Sequence, residues 1–117
     1  MNIPITIQSR LGPKLAFNIL ESNNSISVGN SIDAPGGVSV TLKSMAGFKA
    51  IDIPSVLEFV AETALNLDLG LFSAWLYDKF KNTDIENIKI GDKTAEVSIE
   101  DIETKLSQAL KELDEKI

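Results

Sequence analysis

The amino-acid sequence predicts an α+β domain, and three patterns carry that expectation. The first half alternates apolar and polar residues between turn signals, as half-buried strands do. Residues 55–81 are apolar on nearly every side, and residues 99–116 repeat apolar side chains at helical 3-4 spacing. Strands and helices in separate runs, rather than strict alternation, suit antiparallel sheet with packed helices. At 117 residues, 44% hydrophobic and 24% charged, the chain has the make-up of one globular domain spanning residues 1–117.

The β-rich block, residues 1–50, reads as an antiparallel meander. Ile3, Ile5 and Ile7 alternate with Pro4, Thr6 and Gln8. Pro4 cannot donate to a ladder, which points to an edge strand. Gly12-Pro13 is a turn signal, and Leu15, Phe17 and Ile19 alternate after it. Glu21 to Ser25 is polar, and Ile26 and Val28 form a short alternation. Ala34-Pro35-Gly36-Gly37 is a turn, and Val38, Val40 and Leu42 give the cleanest strand pattern in the chain.

Residues 55–81 are expected to be one apolar helix. Ser55 and Glu58 fit a capping box, and Pro54 suits a helix start. Glu58, Glu62, Asn66 and Ser73 recur near the helical period as one narrow polar stripe. Gly70 is a place for a kink or for a division into two shorter helices. Gly70 and Ala74 make a small-xxx-small pair, a tight packing spot in a soluble domain.

A hairpin is expected over 86–98. Ile88 and Ile90 alternate, Gly91-Asp92 turns the chain, and Ala95 and Val97 alternate on the return. The last helix, 99–116, opens with Ser98 as N-cap and has Glu100 and Asp101 in its first turn. Ile99, Ile102, Leu106, Ala109, Leu110, Leu113 and Ile117 form its apolar stripe.

The residue counts exclude much chemistry. With no histidine and no cysteine, the chain has no disulfide, no Cys or His zinc site, no haem histidine and no Ser-His-Asp or Cys-His triad. Glu58 and Glu62 at i and i+4 could offer oxygen ligands to a hard cation, but a wet stripe is the simpler reading. Pro35-Gly36-Gly37 lacks the Lys-Ser/Thr of a phosphate loop. We therefore expect no catalytic residues, no metal and no cofactor, and a protein that is not an enzyme.

The formal charge is −6 and the pI about 4.5. Residues 1–49 carry four basic and two acidic groups, 50–77 four acidic groups alone, and 78–117 eleven acidic and seven basic. A net acidic chain repels phosphate backbones, so no direct nucleic-acid partner is expected. Mimicry of nucleic acid by Glu100, Asp101, Glu103, Glu112, Asp114 and Glu115 is weakened by interleaved Lys105, Lys111 and Lys116, and Asp101–Lys105 reads as an ordinary helical ion pair. The N-terminus shows neither a basic nor an apolar signal region, which leads us to expect a cytoplasmic protein. Residues 59–77 have the length of a membrane span, but Glu62 and Asp68 lie inside it and membrane association is disfavoured.

What remains is binding. Small size, missing catalytic residue types, an acidic surface and an apolar helix too large for one-sided packing are gross properties shared with immunity proteins, antitoxins and phage-encoded inhibitors of host defence. The expectation is a small acidic non-enzymatic module that binds and neutralises a partner protein. The candidate partner-binding residues are Phe72, Trp75, Leu76, Tyr77 and Phe80, where the apolar run meets the charged segment Asp78 to Lys81, although the rim of an ordinary core is the simpler reading of Trp75 and Tyr77. The alternatives are a self-assembling structural protein, with a homo-oligomer as the product, and a membrane-associating protein acting through residues 59–77.

Overall fold

A computed structural model describes residues 2–10, 13–22, 25–46, 55–63, 67–81, 83 and 85–115. The element order is β1 (Asn2–Ser9), α1 (Pro13–Leu20), β2 (Ser31–Ala34), β3 (Val38–Ala46), β4 (Ser55–Thr63), α2 (Leu69–Phe80), β5 (Ile85–Ile90), β6 (Lys93–Ala95) and α3 (Ile99–Glu115). The six strands form one antiparallel sheet in the order β2-β3-β4-β1-β5-β6. The fold is α+β, in two layers, with one hydrophobic core between sheet and helices.

Alternation decides the two faces of the sheet. Ile3, Ile5 and Ile7 of β1, Leu57, Phe59 and Ala61 of β4, Val38, Val40 and Leu42 of β3, and Ile88 and Ile90 of β5 are all buried. The helices meet them with Leu15, Ala16 and Ile19 from α1, Phe72, Leu76 and Phe80 from α2, and Ile102, Leu106 and Ala109 from α3. Each of the larger side chains contributes roughly 1.5–3 kcal/mol by leaving water. The buried hydroxyl of Ser73 donates to the Leu69 carbonyl at 2.7 Å, and among the described residues no buried side-chain polar atom lacks a partner.

Several expectations are corrected here. Residues 13–20 are a helix, not a strand. Leu15, Ala16, Ile19 and Leu20 share one buried helical face, whereas Phe17, counted as an inward strand position, is half-buried. Proline is also well suited to the first helical position. Ile26 and Val28 are not in a strand; Val28 is 60% exposed in a turn, and the strand begins at Ser31. The hairpin stands as read, but β6 ends at Ala95 and Val97 lies outside it, exposed. Ile99 likewise leaves the expected apolar stripe of α3 for solvent.

The single helix over 55–81 is also overturned. Its first part is strand β4 and its second is the twelve-residue helix α2. Leu57, Phe59 and Ala61 point to the core while Glu58 and Glu62 face outward, a period of two. A spacing of four is a multiple of two as well as close to a helical turn, so the Glu58–Glu62 stripe fits either element. The β-branched Val56 and Val60 favour the strand. The capping box at Ser55 and Glu58 is therefore absent. Ser55 is buried in β4, and α2 is capped instead by Asp68, whose Oδ1 accepts from the Leu71 N–H at 3.1 Å. Gly70 sits in the first turn of α2 rather than at a kink, and both it and Ala74 are exposed, so they make no packing spot. Pro54 and Asn66 lie outside the described residues, as does Ile117.

The N-terminal strands are not a simple meander. β2, β3 and β4 are consecutive neighbours, but β1 lies in the interior, between β4 and β5. Pro4 tolerates this because the β5 ladder ends at Ile5↔Ile90. Just beyond that last pair its carbonyl still accepts from the Gly91 N–H at 2.8 Å, a bond that needs no donor from proline.

Candidate functional site

The five residues singled out from the sequence all fall on α2, but they do not form one surface. Phe72, Leu76 and Phe80 are buried in the core at 1–2% exposure and present nothing to a partner. They follow a 4-4 spacing that turns one stripe of the helix toward the sheet. Trp75 and Tyr77 are half-buried and pack against the rim of the core. The Trp75 ring stacks on Phe72 with centroids 5.9 Å apart, and Lys79 Nζ lies 5.5 Å from its centroid. Lys79 also pairs with Glu21 at 3.3 Å, and its carbonyl accepts from Asn18 Nδ2 at 3.2 Å, so this aromatic seam fastens α1 to α2.

The apolar run 59–77 is divided between strand β4 and helix α2. Among the described residues no helix is long and apolar enough to cross a membrane. Glu58 and Glu62 lie on the outer face of β4, and the described residues contain no group of three or more acidic side chains that could hold a metal ion.

Two other surfaces stand out. The first lies where α2 begins beside α3. A shallow groove there is lined by Leu69, Glu100, Glu103, Thr104, Ser107 and Gln108. Of the four large apolar side chains most exposed among the described residues, three lie at these helix starts: Leu71 at 54%, Ile99 at 42% and Val97 at 40%.

The charges of α3 are sorted between its flanks. On the β6 side, Asp101 pairs with Lys105 at 3.4 Å, and Glu112 pairs with Lys93. The Glu96 N–H donates to the Asp101 carboxylate at 2.6 Å and, with Lys105, holds its pKa below the ordinary value. Glu112 in turn keeps the Lys93 ammonium above its ordinary range. On the groove side, Glu100 and Glu103 have no ion-pair partner among the described residues. The Asp101–Lys105 pair is the one the helical spacing predicts, whereas the sequence does not separate Glu112 from Glu100 and Glu103, because the positions of Lys93 and Leu69 depend on the tertiary fold.

The second surface is the outer face of the sheet. Its rows follow from the strand registers: Asn2 and Glu62 beside Ser39, Pro4 and Val60 beside Thr41, Glu58, Thr6 and Lys89 in line, and Val56, Gln8 and Asn87 in line. The described helices bury the opposite face, and this one keeps exposed or half-exposed side chains throughout. No protein family model matches the chain, and no curated protein or solved structure matches it either.

Proposed function

We propose that the chain is a small acidic binding module that inhibits or neutralises a partner protein by covering a functional surface on it. The observation that supports this reading best is the junction of α2 and α3. Exposed Leu71, Val97 and Ile99 lie at the helix starts, and Glu100 and Glu103 stand beside Leu69 with no ion-pair partner among the described residues. Exposed apolar side chains next to unpaired carboxylates suit a partner surface that is itself apolar and basic. The half-buried Trp75 and Tyr77, already engaged with the core rim, are secondary candidates for contact.

The test begins with affinity capture from source-cell lysate using the tagged chain and its Glu100→Gln/Glu103→Gln variant, with circular dichroism to check folding. One stoichiometric protein retained by the wild type, lost by the variant and inhibited by the wild type in its own assay is the expected result. A captured protein whose activity is unaffected would end the inhibitor reading. Absence of any stoichiometric partner would end the binding reading as a whole.

A further inference from the structure

We propose that the outer face of the sheet is an interface with a second copy of this chain, packed face to face about a two-fold axis along β1. This inference goes beyond the binding reading and uses the opposite side of the molecule from the α2–α3 groove.

The argument rests on one row of the sheet. Thr6 of β1 pairs with Glu58 of β4 on one side and with Lys89 of β5 on the other. All three point away from the core, and Glu58 and Lys89 are both exposed. Neither has an ion-pair partner among the described residues. A two-fold axis along β1 carries β4 onto the place of β5. It therefore sets Glu58 of each copy opposite Lys89 of the other, twice, with Thr6 near the axis. An interface of this kind must be self-complementary, and the row has that property. Sheets packed face to face lie about 10 Å apart, a distance that a glutamate and a lysine side chain reaching toward each other can span. The half-exposed Val56 and Val60 flank Glu58 on the same face and supply apolar area. Edge-to-edge joining is the less favoured route to a pair, because the edge strands β2 and β6 have only four and three residues.

Sedimentation equilibrium on the purified chain tests this, with circular dichroism to confirm that each variant folds. The wild type should form dimers. Glu58→Lys alone and Lys89→Glu alone place like charges opposite each other and should each weaken the dimer by on the order of a hundredfold. The double variant Glu58→Lys/Lys89→Glu restores opposite charges and should recover it. A monomeric wild type up to millimolar concentration would overturn the proposal, as would single variants that remain dimeric or a folded double variant that stays monomeric. Dissociation by Glu100→Gln/Glu103→Gln would also overturn it, since that result places the contact in the helix groove.

Discussion

The Asp68 N–H donates to the Gly36 carbonyl at 2.8 Å, tying the turn between β2 and β3 to the residue that caps α2. Gly36 has φ near 92°, and a β-carbon there would collide with the Asp68 carbonyl oxygen and lie 3.2 Å from the Phe72 nitrogen. Both obstacles are backbone, which cannot swing aside as a side chain would.

Gly36→Ala should therefore destabilise the protein by roughly 1–3 kcal/mol, through positive-φ strain and displacement of the start of α2. A urea melt followed by circular dichroism measures the loss. An unchanged midpoint would mean that the turn and the helix are not coupled as described.

Two helix caps give a matched pair of smaller effects. Asp68 accepts from the Leu71 N–H, and Ser98 Oγ accepts from the Asp101 N–H at 3.1 Å. Asp68→Ala and Ser98→Ala should each cost about 1 kcal/mol in the same melt, and the double variant should show close to the sum.

Burial separates two leucines. Leu106 of α3 is fully buried, and Leu71 of α2 is more than half exposed. Leu106→Ala should cost about 2–5 kcal/mol. Leu71→Ala should stay within about 0.5 kcal/mol of wild type while reducing capture of the partner.

Asp101 gives the chain a pH dependence of known sign. Its pKa is lowered from 3.8, chiefly by the Glu96 N–H and further by Lys105. The folded state thus favours the ionised form, so this stability is complete above the ordinary value and is lost as the pH falls through the lowered one. Asp101→Asn should be less stable than wild type at neutral pH, and the gap should close in acid below 3.8. Urea midpoints at the two conditions decide it; a gap that widens in acid would contradict the assignment.

Glu21 occupies a position that glycine usually fills. The Ser22 N–H donates to the Phe17 carbonyl at 3.1 Å and the Glu21 N–H to the Asn18 carbonyl at 3.3 Å, a Schellman ending for α1 with Glu21 at φ 52°. Glu21→Gly relieves the left-handed strain and gives up a partly exposed ion pair with Lys79. We expect a net gain of a few tenths to about 1 kcal/mol, together with a change in Trp75 fluorescence as Lys79 loses its anchor.

Legibility in the sequence followed the local physics. Val38, Val40 and Leu42 alternate without ambiguity, Gly91-Asp92 turns a hairpin, and Ser98 caps a helix whose stripe repeats over four turns; all three can be read without tertiary knowledge. Leu57, Phe59 and Ala61 could not, because apolar Val56 and Val60 fill the outer positions and hide the alternation. Leu15 and Ile19 are spaced by four, a distance that suits both periods. Phe72, Leu76 and Phe80, candidates for the surface, are drawn into the core shared by sheet and helices. Ile99 was left exposed at the start of α3. The rows that set Glu58, Thr6 and Lys89 side by side join three distant segments and have no local signal at all.

The central position of β1 has a consequence for how the chain finds its fold. Ile5 must meet Phe59 on one side and Ile90 on the other, so the middle of the sheet closes only after most of the described chain is available. Pairings of such high sequence separation slow the approach to the transition state. Until β1 pairs with it, the β2-β3-β4 meander ends in a long apolar strand with an open edge. Association of nascent or refolding chains should therefore begin at β4 and fade once β1 has seated against it.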